Sequence, residues 1–218
     1  MAKDMTSGKP IKLIWNFTIP LLIGNLFQQL YNMADTFIVG RTIGVHALAS
    51  VGSTGSIIFL ILGFANGLTA GLAIPLAQRY GAKNYSGVKR SFYVSILISA
   101  VVAILLTILS MVFCRQILEI MQTPVEIIDG AYDYLMVIFA GIFSSMAFNL
   151  LSNIFRSIGD AKTPLYFLVI ACIMNIILDV VFIAGVGMGV EGAGYATVLS
   201  QIFSALACIL YIWKKIPI

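Results

Sequence analysis

The chain of 218 residues is 60% apolar and 10% charged, with a mean hydropathy of +1.01 and a formal net charge of +4. Soluble globular domains carry about 25% charged residues, so a water-exposed fold is excluded and an all-α integral membrane protein is expected. The positive balance is no nucleic-acid signal, because the cations sort by membrane side.

A spanning helix needs about 20 mostly apolar residues. Six segments qualify, near 13–39, 49–78, 91–113, 131–155, 164–185 and 192–213. They define one six-helix lobe over residues 13–218 behind a cytoplasmic segment, 1–12. The first apolar run outlasts the roughly 7–15 residues of a signal-peptide core and no small-residue cleavage site follows, so no cleavable leader is expected.

In the first span, Pro20 removes a backbone hydrogen bond and bends the helix, as a static kink or as a hinge. Gln28, Tyr31 and Asp35 then fall at i, i+3 and i+7 on one helix face, with Asn25 and Asn32 close to the same stripe. Such a stripe faces protein or a water-filled cavity, not lipid. In the second span Gly63, Gly67 and Gly71 repeat every four residues after Gly52 and Gly55, a pattern that predicts close helix packing. The third span has no charge between Phe92 and Phe113 and reads as a lipid-facing wall.

Residues 115–128 read as an amphipathic interfacial stretch, and Asp129 and Asp133 as hydrated groups at the outer membrane surface. Asn149 and Asn153, one turn apart in the fourth span, read as interhelical glue. A basic turn, 156–164, leads through Pro164 into the fifth span, which carries Asn175 and Asp179. A short glycine-rich link, 185–189, precedes the sixth span with Ala193 and Thr197. Cys114, Cys172 and Cys208 read as small packing residues, and His46 as an incidental loop histidine.

Six spans with a cytoplasmic amino terminus place Lys3, Lys9, Lys12, Arg79, Lys83, Lys89, Arg90, Arg156, Lys162, Lys214 and Lys215 inside, and only Arg41 and Arg115 outside. This positive-inside bias predicts that both termini are cytoplasmic, in a multi-pass protein of the inner (plasma) membrane. Trp15, Tyr211 and Trp213 fall near the same interface, as aromatic anchors do.

Asp35 and Asp179 carry the chemistry. A carboxylate near the bilayer centre costs roughly 2.5–3.5 kcal/mol on insertion scales, and no lysine or arginine lies within these two stretches to pair with it. Helix rise places Asp35, Asp179 and Thr197 at about the same depth, roughly five to six residues inside the outer ends of their spans, or about 7–9 Å. Asn175 and Asp179 share a helix face, as do Ala193 and Thr197. Two carboxylates, an amide oxygen, a hydroxyl and the Ala193 carbonyl form an all-oxygen set suited to a hard cation. The glycines around the start of the sixth span would expose that backbone. Ionised together the two carboxylates would repel, so Na⁺ and H⁺ would compete for one site. Separate polar contacts that merely fix helix packing are the competing account.

Several motifs together resemble the multidrug and toxic compound extrusion (MATE) transporters along essentially the whole chain. They are Ile19-Pro20 followed by Asp35 in the stretch 34–40, Gln78-x-x-Gly81-Ala82, Arg156-x-x-Gly159-Asp160-x-x-x-Pro164, and Asn175-x-x-x-Asp179. The resemblance implies a Na⁺- or H⁺-coupled antiporter that exports amphipathic, often cationic drugs by alternating access. It implies no enzyme activity and no cofactor beyond the coupling ion. It carries the ion-site role onto Asp35, Asn175, Asp179 and Thr197, with the Ala193 carbonyl, and a drug-cavity role onto Gln28, Tyr31 and Asn149. Pro20 matches the family's bend in the first helix, whose straightening would squeeze the cavity. Family members have twelve spans in two lobes, so six spans imply the amino-terminal lobe. Such a half would be completed by a second lobe or a second copy, or would be a non-transporting truncated fragment.

Two other classes are weaker. An intramembrane aspartyl protease also uses paired carboxylates, but its Gly-x-Gly-Asp signature is absent, since Ser157-Ile158-Gly159-Asp160 lacks the first glycine. A lipid-linked oligosaccharide flippase favours cationic grooves, whereas these spans offer carboxylates.

Overall fold

The computed structural model describes residues 9–215, with side chains as far as Ile212. The helices are α1 (Pro10–Thr42), α2 (Val45–Gly81), α3 (Tyr85–Val112), α4 (Cys114–Ile120), α5 (Ile128–Ala140), α6 (Ile142–Ser157), α7 (Lys162–Asp179) and α8 (Val190–Lys215). A π-helical turn, Val180–Gly185, extends α7. Five of these elements are long and apolar enough to cross a membrane alone, and α5 with α6 forms a sixth, bent by 47°. The six expected spans are therefore present, each longer than anticipated by a few residues at one end or both. Segment 1–12 lies outside the described residues up to position 8, and α1 has begun by Pro10, whose missing N–H costs nothing at a helix start.

The bend in the fourth span was not anticipated. It falls at Gly141, where a Cβ would lie 2.3 Å from Val198 Cγ2 on α8. At Gly194, on α8, a Cβ would meet Val137 at 3.0 Å. These two glycines let α8 close against α5, and that closure brings Ala193 and Thr197 to the lobe's centre. The inner face of α5 and α6 (Leu135, Phe139, Ile142, Met146) packs on Ile57 and Ala65 of α2 and Ala103 of α3. A second cluster joins Leu76, Leu150, Phe155, Cys208 and Ile212.

At the turn from α6 to α7, Gly159 takes φ +83°, which a side chain would resist. Asp160 then accepts from the N–H groups of Lys162 at 3.2 Å and Thr163 at 3.0 Å, and from the Thr163 hydroxyl at 2.7 Å. Burial opposes ionisation of this carboxyl, but the hydrogen bonds from Thr163 prevail and hold it below the usual carboxylate range.

Three expectations are corrected. The glycine repeat of α2 does not pack within this chain: a Cβ at Gly52, Gly55, Gly63, Gly67 or Gly71 would meet nothing within 4 Å. Tyr211 is not an interfacial anchor, because its ring packs edge-on against Phe155 and Phe167 at 5.8 and 5.9 Å between centroids. The side chain of Trp213 lies outside the described residues, while Trp15 is exposed as expected. The third span is more than a lipid wall, since Ser91, Ser95, Ser99 and Ala103 form a small, buried inner face. In the interfacial stretch 115–128, most of the short α4 fits expectation, and Arg115 pairs with Glu119 at 3.7 Å and with the exposed Asp129 at 3.5 Å.

The close approach at Gly141 predicts that Gly141→Ala destabilises the lobe by about 1–3 kcal/mol, the range for overpacking, and that Val198→Ala restores most of the loss. Gly63→Ala, by contrast, does not destabilise the isolated chain, since its Cβ meets nothing and alanine favours the helix. Thermal unfolding in detergent checks the pair.

Candidate cation site

α1, α7 and α8 each bring oxygen-bearing side chains to one buried point. Asp179 is 0% exposed, Asn175 1%, Asp35 7% and Thr197 8%. Asn175 donates from Nδ2 to Thr197 Oγ1 at 3.3 Å, which fixes the amide so that its oxygen stays free. That oxygen, Asp35 Oδ1 and both oxygens of Asp179 are buried without a hydrogen-bond partner. Buried acceptors are satisfied in the great majority of cases, so four orphans on neighbouring side chains call for a partner. Asp35 lies near enough to Asp179 to repel it when both are ionised.

The predicted set Asp35, Asn175, Asp179 and Thr197 is thus brought together. Ala193 is also there, fully buried against Val39, Tyr134 and Val190. The expected exposure of its backbone is not found, because α8 is regular helix from Val190 onward and the Ala193 carbonyl lies inside the helical ladder. Irregular backbone occurs instead on the neighbouring element: the π-helical turn opens directly after Asp179. Such turns often mark functional positions, since they widen the helix and re-aim the residues before them.

Two tyrosines complete the surroundings. Tyr31 reaches Thr197 and stands in the field of Asp35 and Asp179. Tyr134 of α5 is buried, facing Asp35, Tyr31 and Asp179, and sequence reasoning missed it. One aromatic on an apolar helix carries no signal that separates it from core. Above the site, Val39, Ala47, Ile138, Ile183 and Val190 seal it with apolar contacts.

Below it lies a cavity of about 80 Å³ lined by Pro20, Gln28, Tyr31, Asn149, Ser152 and Arg156, among others, with Asn175 at its upper end. All three predicted cavity residues and the proline therefore share one wall system. Ser200, Gln201 and Ser204 line it from α8, and Gln201 contacts Ser145. With Thr197 they form a helix-period polar stripe that the sequence did offer. Asn153 does glue helices, donating to Thr69 Oγ1 of α2 at 3.2 Å.

The MatE family model matches residues 20–181, and the chain belongs to the MATE family. It is 30% identical over 219 residues to the probable multidrug resistance protein YoeA of Bacillus subtilis, covering 97% of this chain and 47% of that protein. It is 26% identical to the multidrug export protein MepA of Staphylococcus aureus, covering 94% of this chain and 45% of that protein. A solved structure of MATE in the bent conformation superposes with TM-score 0.90 at 32% identity, over 97% of this chain and 47% of that one. The straight conformation gives 0.86 at 32% identity, over 96% and 46%. The chain spans about half the length of the relatives it matches and forms one lobe of the transporter fold.

Carboxylates left buried without partners cost stability. Asp179→Leu, which keeps the branching of the side chain and removes the charge, is expected to stabilise the lobe in cation-free detergent by about 1–4 kcal/mol, the range for replacing buried charged groups with apolar ones. A lowered unfolding midpoint would mean that Asp179 holds the fold together.

Proposed function

We propose that this chain is the amino-terminal lobe of a Na⁺- or H⁺-coupled antiporter that exports amphipathic, often cationic drugs by alternating access, and that it is no enzyme. The observation that carries this reading is the group of four unpartnered, buried oxygens on Asp35, Asn175 and Asp179. Thr197 and the two tyrosines complete a coordination shell that one small cation would satisfy. A proton on either carboxylate would relieve the same repulsion, so ion and proton would exchange at one place.

The drug path in this reading runs past Gln28, Tyr31 and Asn149. Ligand pockets for drug-sized molecules measure about 300–1,000 Å³, so a cavity of about 80 Å³ must widen to admit one. Pro20 is the hinge that would allow it. Above that residue α1 buries only Gly24, Asp35 and Val39, so few contacts resist its movement. Asp35 sits on the same helix, and a cation there would tie the position of α1 to α7 and α8.

The partner is a second six-helix lobe, or a second copy of this chain. Asn25, Gln29, Asn32 and Thr36 are exposed along one stripe of α1, and the glycines of α2 are bare. Neither feature suits lipid. The basic residues Lys9, Lys12, Arg79, Lys83, Lys89, Arg90 and Lys162 lie at one end of the bundle, which we place at the cytoplasmic side of the plasma membrane.

Arg156 gives some support to a second reading, a lipid-pyrophosphate flippase, since it puts a cation into a cavity that the sequence left without one. A pyrophosphate cradle needs several cations, and the lining supplies this one alone. Competition between ethidium and a lipid pyrophosphate for the purified chain separates the two readings.

Na⁺ at about 100 times its Kd is expected to stabilise the folded chain by about 2.7 kcal/mol, a gain absent from Asp35→Asn and Asp179→Asn. The same substitutions in a full-length twelve-span carrier bearing this lobe should abolish ethidium efflux, and unchanged efflux would refute the site. Gly63→Leu with Gly67→Leu should weaken assembly with a co-expressed second lobe, measured by co-purification, without lowering the unfolding midpoint of this lobe.

A further inference from the structure

The cavity beneath the carboxylates contains a group that the transport reading leaves unused. Besides Asn175 Oδ1, already counted with the carboxylates, two of its lining residues carry buried polar atoms with no partner: Ser152 Oγ and Arg156 Nε. Along α7 the lining runs from Pro164 through Leu168 and Cys172 to Asn175, about 16 Å at 1.5 Å per residue. A buried water needs at least about 10–15 Å³ of such space, so about 80 Å³ drawn out over that length accommodates a short file of waters. The orphaned atoms are placed to bond them.

Arg156 stands at the basic-face end of this file, in the last turn of α6. It is half-buried, and Nη1 donates to Asn153 Oδ1 at 3.3 Å. Among the described residues the lining contains no aspartate or glutamate, and α1, α7 and α8 contribute no charged side chain to it. A guanidinium facing a narrow water file without a counter-ion repels cations, and the low-dielectric walls leave that repulsion unscreened.

We propose that Arg156 is a charge barrier that keeps small cations out of the water file between the basic face of the lobe and the Asp35–Asp179 site. The inference rests on reading that pair as the cation site. Its consequence is that an ion held there does not leak along the interior of a single lobe, and exchanges only when α1 moves. Water passes Arg156, whereas a monovalent metal ion does not.

Cys172 lines the file between Arg156 and Asn175 and supplies a native reporter. With Cys114 and Cys208 replaced by alanine, Cys172 is the sole thiol of the full chain. Ag⁺, a monovalent cation that seeks thiols, is offered from the basic face of membrane vesicles. Unreacted Cys172 is then counted by alkylation after denaturation and mass measurement. Arg156→Gln is expected to speed the Ag⁺ reaction by about tenfold or more, as removing one charge from a poorly screened passage should. Arg156→Lys should retain the slow rate. Arg156→Met, which keeps the apolar stem, replaces the glutamine variant if that one does not accumulate. Equal rates with and without the charge would overturn the barrier, and an unreactive Cys172 in every variant would overturn the water file. Adding Asp35→Asn to Arg156→Gln should leave the fast rate unchanged, because Cys172 lies short of the site. Failure of the cation-site reading would appear separately, as a missing Na⁺-dependent stabilisation.

Discussion

Two carboxylates removed from water with no cationic side chain beside them set the terms for this lobe. Among the described residues, the ion pairs are exposed ones, between Arg115 and its acidic neighbours. Asp35 and Asp179 have none. The surrounding structure keeps them buried against that cost. Gly141 and Gly194 allow α5 and α8 to approach, which seats Thr197 beside Asn175 and covers the pair with Tyr134 and Ile138. Packing thus creates an electrostatic deficit that only a cation or a proton can remedy.

The deficit is tied to the least embedded helix. α1 is held at Pro20 and Gly24, where the glycine's missing side chain would sit 3.5 Å from Leu168, and again at Asp35 and Val39. Between those points its side chains face the cavity or the outside. An ion shared by Asp35, Asn175 and Asp179 would therefore bridge α1 to α7 at one of its two attachments. Emptying the site would remove that bridge and restore repulsion across it. Local stability varies with the number of buried contacts, and α1 has the fewest to lose.

Much of this was legible in the sequence. Apolar runs of membrane length gave the spans, and charges inside them pointed to function because lipid makes idle ones costly. Spacing of one helical turn then placed Asn175 with Asp179, and equal depth placed Asp35 with both. What remained hidden depends on contacts between elements. The bend falls at Gly141, but a lone glycine in an apolar run is a weak signal, and the close approach of Val198, some 57 residues later, is not written in the local sequence. Tyr134 looks like any apolar aromatic until α5 turns it toward the aspartates. The glycine repeat of α2 shows the converse failure: small residues allow close approach, but the pattern does not say to which neighbour.

That neighbour can be narrowed by what the exposed face would experience. Asn25, Gln29, Asn32 and Thr36 lie within an apolar span and point away from this lobe. Asn32 donates to Gln29 Oε1 at 3.4 Å and the Thr36 hydroxyl to the Asn32 carbonyl at 2.8 Å, but in hydrocarbon the remaining amide groups would find no partners, so water or protein must cover them. The adjacent face of α2 is smooth backbone at Gly63, Gly67 and Gly71, which gains little from lipid but much from another helix at short range. A polar stripe beside a glycine stripe suits a surface that is wet in one state and packed in another. Two lobes that rock against each other across a cleft would present both conditions in turn. Asp35 lies on the buried side of the same helix, so a cation held there, as proposed, would act on this surface through α1 alone.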